Sequence, residues 1–277
     1  MNFKIVSDSS SNILSFAGAS YATVPLKIIT NEREYVDDAA LDVAGMVKDL
    51  RTVKGRTGTS CPNIYEWKSA MAGADAVFAI TITSNLSGSH AAALQAKAEL
   101  LAEDPSKRIC VLDSLSTGPE MQLVIEKLAA LIDAGKAFEE IECEIREYMT
   151  HTHLIFCLQS LTNLARNGRV NHVVAKVAGV LGIRIVGVAS EVGTLELLYK
   201  PRGGEKALSC ILDVMKQYGY RGGAVRLAHC NNEVGATKLA AKIRAVYPAA
   251  EIKIIPTTAL CSFYAEEGGL MIGYEDI

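Results

Sequence analysis

No stretch of this 277-residue chain is apolar for long enough to read as a membrane span. The longest apolar tract, residues 173–189, is interrupted by Lys176 and Arg184, and a spanning helix needs about 20 apolar residues in a row. Charge of one sign is also missing: the net charge is -3 and the Lys and Arg residues are scattered. That pattern excludes a nucleic-acid face and a basic membrane-surface helix. The seven cysteines show no C-x-x-C spacing and their number is odd, so a disulfide framework is not expected. Cys110, Cys143 and Cys157 fall within apolar patterns and read as buried, reduced thiols of a cytoplasmic protein. The opening MNFKIVSDSSSN runs straight into a strand-like segment, without the apolar core of a signal peptide. A Walker-type loop, a G-x-G-x-x-G turn and a G-x-S-x-G elbow are all absent. There is no internal repeat and no low-complexity linker.

What is present is a globular balance of 49% apolar and 21% charged residues, enough for a real core in one large domain or two ordinary ones. In the first half, strands alternate with helices. Strands are expected at 3–6, 22–29, 76–83 and 107–112, and a short one near 31–35. Helices are expected near Ile13 and over 42–53, 64–72, 91–102, 117–134 and 138–150, with 55–63 as a loop. Repeated βα units argue for a mostly parallel, doubly wound sheet. Ligands of such sheets sit at the loops that start helices. The polar turns at 8–12, 57–63, 83–89 and 113–118 are therefore expected to converge on one cleft.

The second half changes character. Strands are expected at 152–157, 183–190, 195–199, 226–230 and 252–256, with helices at 160–165, 173–181, 204–217 and 233–247. The Glu-Val-Gly-Thr turn at 191–194 joins two of the strands as an antiparallel hairpin. The economical division is two α/β domains, 1–150 and 151–277, the second with a mixed or antiparallel sheet and helices.

Several clusters carry chemistry, each beside a plainer reading. The strand-loop-helix run from Phe78 to Leu100 puts Ser84, Ser87 and Ser89 at a helix start, which suits an anion but equally an ordinary serine cap. Gly88 beside Ser87 permits close approach of a ligand to the backbone. Thr57, Thr59, Ser60 and Cys61 precede Pro62 and another helix, again as hydroxyl donors or as caps. A nucleophilic Ser87 would need a base, and no triad partner is evident. His151 and His153 share one strand face, but a third metal ligand is not evident, so structural histidines are expected there and at His172 and His229. Arg169 on the Asn167-Gly168 turn can pair with a carboxylate or phosphate, or remain a surface arginine.

Taken together, the blocks KIVSDSSSNI, VPLKI with EYVDD, TSCP, ITSNLSGSHAAALQA, VLDSLSTGPEMQLV, LQSLTNLARNGRV and VAGVLGIRIV occur in an order that resembles the DegV family over nearly the whole chain. That family comprises bacterial fatty-acid-binding subunits that serve a fatty acid kinase. The resemblance implies two α/β domains around a long-chain fatty acid. It implies a carboxylate held by Thr59 and Ser87, with Ser60 and Gly88 adjacent and Arg169 near the carboxylate end and the partner-facing surface. It implies a non-catalytic carrier that needs no cofactor beyond the bound lipid. One region departs from the pattern: Tyr264 stands where a histidine is usual, and Glu266-Glu267-Gly268 replaces a Gly-Pro-Gly-like run. The tyrosine hydroxyl can still donate a hydrogen bond, while the two glutamates bring negative charge toward an expected anion site. The competing expectation is an enzyme or regulatory sensor that binds a different small anion in the same cleft.

Overall fold

The computed structural model describes residues 1–53, 55–171 and 182–277. Four parallel strands open the fold: β1 (Phe3–Asp8), β2 (Tyr21–Val24), β6 (Ala76–Thr81) and β7 (Arg108–Asp113), in the order β2-β1-β6-β7. Every residue of β6 is buried, as a continuous apolar run in a parallel sheet requires when both faces are covered. On one face Ile5, Phe78, Ile80 and Leu112 pack on α4 (Pro119–Asp133) and α5 (Phe138–Met149). On the other, Val6, Val77 and Ala79 pack on α2 (Ile64–Met71) and α3 (Ser89–Glu103). This is the doubly wound arrangement expected from the alternation.

A six-stranded mixed sheet forms the second half. It comprises β8 (Thr152–Leu158), β9 (Ile185–Ala189), β10 (Leu195–Tyr199), β11 (Val225–His229), β12 (Ile252–Pro256) and β13 (Leu270–Glu275). Their order is β10-β9-β8-β13-β11-β12. The expected hairpin is there, with Leu195 opposite Ala189. Because side chains alternate along a strand, Ile155, Cys157, Leu270 and Ile272 face the helices α7 (Gly204–Gln217) and α8 (Glu233–Val246). Leu154, Phe156, Leu158 and Met271 take the opposite face, toward the first half of the chain.

Several expectations need correction. No α-helix begins near Ile13. Ser9–Ser11 form one 3₁₀ turn, Asn12 is left-handed, and the chain runs irregularly to β2. The Asp8 carboxylate accepts from Ser10 N–H and the Ser11 hydroxyl accepts from Ile13 N–H, so side chains take backbone donors that a helix would use. Residues 22–29 are two strands: Pro25 bends the chain out of β2 and into β3 (Lys27–Thr30), which belongs to a separate antiparallel sheet of order β4-β3-β5. The expected loop at 55–63 contains the third member of that sheet, β5 (Thr57–Ser60), while β4 is Glu34–Val36. A strand written TGTS owes its form to pairing with β3 rather than to propensity. Cys143 is exposed, unlike the buried Cys110 and Cys157. The buried stripe of α5 is Phe138, Ile141, Ile145 and Tyr148, and Cys143 lies off it. β13 and a helix α9 (Ala259–Ala265) had no counterpart among the expected elements. The helix expected at 173–181, and His172, lie outside the described residues.

Helix α4 joins the two halves. Its first turn lies against β13 so closely that a Cβ at Gly273 would come 2.4 Å from Glu120 N and 2.6 Å from Pro119 O. Further along, Glu126 of α4 takes a charge-paired hydrogen bond from Arg226 of β11, a residue only 2% exposed. Burial alone would raise the Glu126 carboxyl, yet the Arg226 hydrogen bonds and charge bring it below its ordinary range. A group with a depressed folded pKa stabilises the fold above its unfolded pKa, and loses that contribution as pH falls through the folded value. Glu126→Gln leaves the Arg226 cation buried with a weaker partner and is expected to cost about 3 kcal/mol at neutral pH. Urea unfolding at a series of pH values checks this: the gap between wild type and variant should close below the ordinary carboxylate range, and a pH-independent gap contradicts it.

Candidate functional site

Three of the four polar turns meet where the halves face each other. Residues 59–61, 86–88 and Thr117 line a cavity of about 270 Å³. The fourth, at 8–12, lies behind it: Asp8 is fully buried and supports the wall without lining it. All six residues singled out from the sequence, Thr59, Ser60, Ser87, Gly88, Arg169 and Tyr264, line this one cavity.

Each is placed by local chemistry. Thr59 and Ser60 end β5, and the helix that follows is capped elsewhere. Asn63 accepts from Glu66 N–H at 2.9 Å, and Glu66 accepts from Asn63 N–H at 2.7 Å, a reciprocal capping box. The two hydroxyls are therefore not consumed as caps. At α3 the N-cap is Gly88, which offers no side-chain acceptor, while the Ser87 hydroxyl accepts a long bond, 3.3 Å, from Ser89 N–H. A Cβ on Gly88 would lie 3.2 Å from the Cys61 sulfur, so the two turns touch here. The loop between β6 and α3 is pinned at both ends by Asp8, which accepts from Ile82 N–H at 2.9 Å and from the Ser89 hydroxyl at 2.6 Å. Burial raises the Asp8 carboxyl, opposed by these bonds and those from Ser10.

Arg169 projects from the end of α6 (Thr162–Arg166). Gly168 is left-handed, Gly168 N–H donates to Ala165 O and Arg169 N–H donates to Leu164 O, a Schellman ending that fixes where the next side chain points. Its Nε donates to Leu86 O at 3.1 Å, which carries the guanidinium across to the Ser87 loop. Tyr264, on α9, sits with its hydroxyl 2.7 Å from Thr59 Oγ1. Burial raises the Tyr264 phenol, outweighing the Thr59 bond and the Arg169 charge, so it remains a neutral hydroxyl that can donate.

The glutamates following Tyr264 do not enter the cavity. Glu266 accepts from Asn163 N–H at 3.0 Å, at the start of α6, and Glu267 pairs with Arg51 on the outer side. The expectation that they bring negative charge to the site is thereby corrected. Among the described residues, Arg169 is the one charged residue in the cavity wall.

The rest of the wall is apolar and was not legible as such in the sequence. Leu154, Phe156 and Leu158 come from β8, Met271 from β13, Leu164 from α6 and Leu260 from α9. An apolar run buried on both faces does not say which face meets a cavity. Phe156 can lie flat against its neighbour because residue 187 has no side chain: a Cβ there would sit 2.4 Å from the ring. The helix that supplies Tyr264 is held by Asp37, a buried residue passed over in the sequence. It accepts from Ala259 N–H at 2.7 Å, Leu260 N–H at 3.1 Å and the Thr258 hydroxyl at 3.2 Å.

Three of the histidines make hydrogen bonds within the fold. His151 and His153 both bond to Asp276 at 2.9 Å, and His229 accepts from Asn232 N–H. Among the described residues no group of three or more metal-ligating side chains comes together, and no helix is long and apolar enough to cross a membrane. The arrangement is thus an apolar cavity with hydroxyls and a single cation gathered on part of its wall.

Comparison with known proteins bears on that arrangement. A DegV domain-containing protein of Streptococcus pneumoniae is 42% identical over 279 residues, covering 99% of each chain. Among solved structures, the Streptococcus pneumoniae Fatty Acid Kinase (Fak) B3 protein loaded with linoleic acid superposes with a TM-score of 0.98 at 42% identity, covering 100% of both chains. A DegV family protein from Eubacterium eligens loaded with heptadecanoic acid gives 0.97 at 41% identity, covering 99% of this chain and 100% of that one. The family model described as uncharacterised protein, DegV family, matches residues 2–276. With that match running almost end to end, this chain belongs to the DegV family.

Proposed function

We propose that this protein is a non-catalytic carrier that buries the tail of a long-chain fatty acid and holds its carboxylate with Thr59 and Ser87. The observation that carries the reading is the composition of the cavity wall: leucines, Phe156 and Met271 over most of it, with Thr59, Ser60, Ser87, Thr117, Tyr264 and Arg169 as its polar part. Such a wall matches a ligand that is one long apolar chain with a single anionic end. Each buried methylene contributes about 0.8 kcal/mol, so the chain supplies most of the affinity while the hydroxyls set its direction. Arg169 offsets the carboxylate charge without a second cation, and Tyr264 donates from the place where the family pattern has a histidine. The apolar lining weighs against the alternative of an enzyme or sensor for a small hydrophilic anion, which would leave these side chains unused. The same reading takes 1–150 as the domain with the hydroxyl loops and 151–277 as the domain that closes the pocket. The four-stranded and three-stranded sheets fall in the first and the six-stranded sheet in the second.

In this reading the carrier presents its carboxylate to a separate kinase subunit, which the likeness to a protein described as Fatty Acid Kinase (Fak) B3 supports. A cytoplasmic location, where such a partner and its nucleotide would be, goes with this reading.

Native mass spectrometry of the purified protein is expected to find a co-purified long-chain fatty acid; a protein carrying phosphate, or a small polar acid instead, contradicts the carrier role. The double variant Thr59→Ala, Ser87→Ala is expected to keep its melting temperature within a few degrees and to bind a fluorescent acyl probe at least tenfold more weakly, about 1.4 kcal/mol. Unchanged binding removes both residues from the site. Mixing the loaded protein with a fatty acid kinase and ATP should yield acyl phosphate, and Arg169→Ala should lower that yield.

A further inference from the structure

Resting on the fatty-acid reading above, we propose that Leu154 is the stop that sets how long an acyl chain the cavity accepts. Leu158, Phe156 and Leu154 succeed one another on the cavity face of β8. Leu158 is at the end of the strand that leads into α6 and Arg169, so the polar part of the wall lies beyond it. At roughly 3.4 Å per residue, Leu154 stands about 14 Å further along the strand. The strand thus runs as a ruler from the carboxylate end toward the tail.

Leu154 is also the boundary of a second space. It lines the acyl cavity and also a cleft of about 830 Å³ whose border mixes Leu115, Val188 and Val192 with the charged Glu120, Arg146 and Glu196. The side chain is 2% exposed, so it fills the gap between the two. Directly opposite on β13 is Gly273, which cannot carry a side chain because the backbone at Pro119 and Glu120 presses on it. Beyond Gly273 on that rung Arg226 reaches to Glu126 of α4, and on the other side Leu195, opposite Ala189, also lines the cavity, so Leu154 closes the part of the wall next to Gly273.

Removing the stop joins the cavity to the cleft, and enlarging it shortens the cavity. In the wild type, affinity should rise by roughly fourfold for each added methylene until the terminal methyl meets Leu154, and then level or fall. The test is the affinity of purified, delipidated protein for saturated fatty acids from lauric to behenic acid, measured for wild type, Leu154→Ala and Leu154→Phe, with circular dichroism to confirm each fold. The expected result is a break in the series that moves to longer acids in Leu154→Ala and to shorter acids in Leu154→Phe. A break at the same length in all three proteins overturns the assignment of Leu154 while leaving fatty-acid binding intact. Wild-type protein that binds no member of the series overturns the fatty-acid reading, and the stop with it. If Leu154→Ala fails to fold, the Leu154→Phe series decides alone: a shift toward shorter acids supports the stop, and no shift removes it.

Discussion

A carboxylate buried in a protein must be met by donors, and two such groups organise the polar part of this cavity from behind. Asp8 and Asp37 have no exposure to solvent. Burial raises both carboxyls, and both are compensated mainly by backbone N–H groups and hydroxyls from distant segments. Asp8 grips Ile82 and Ser89, the two ends of the loop that carries Ser87. Asp37 grips Ala259 and Leu260, the first turn of the helix that carries Tyr264. Donors left without these acceptors would be buried and unpaired, so the loop and the helix have little freedom to drift. The wall facing the ligand contains no acid among its described residues, while the shell supporting it depends on two. Separating the acids from the cavity by one layer lets negative charge do structural work without repelling an anionic ligand.

The halves are also clasped beside the Ser87 loop. The tip of the β9–β10 hairpin sits on the 83–85 turn, where the Thr83 hydroxyl donates to Gly193 O at 2.9 Å and the Asn85 amide donates to Val192 O at 2.6 Å. Together with α4 and the Glu126–Arg226 pair, this gives the cavity walls from both halves a fixed separation.

How much of this was legible in the sequence depends on the kind of signal. Helices such as α7, with its four-turn amphipathic stripe, could be placed to the residue, because periodicity and glycine punctuation agree there. The hydroxyl turns and Arg169 were legible because small polar residues beside glycine at helix ends are chemically conspicuous. β5 was not, since its form comes from a partner 30 residues away rather than from its own letters. The irregular stretch after Ser11 defeated a helix reading because its serines bond locally. The direction of Glu266 and Glu267 was out of reach for a similar reason: side chains that neighbour Tyr264 in sequence leave on the other side of the helix end, where Glu266 has a positive φ. Apolar β8 announced burial, yet only the assembled sheet reveals which of its faces is paved by α7 and α8 and which borders the cavity.

The position of β13 has a consequence for how the protein comes to be folded. It lies in the interior of its sheet, antiparallel to both β8 and β11, although it follows every other strand of that sheet in the sequence. Until residues 270–275 have left the ribosome, β8 and β11 expose unpaired edges across a gap one strand wide. Leu154, Phe156 and their neighbours are then open on a surface prone to pairing with other chains. Synthesis therefore sets a minimum delay before the cavity can exist. The long sequence separation between β8 and β13 adds loop-closure entropy to the barrier that follows. A chain that stalls or is cut shortly before residue 270 would retain the parallel sheet of the first half, yet present the future lipid-facing surface to solvent as a site for aggregation or for chaperones.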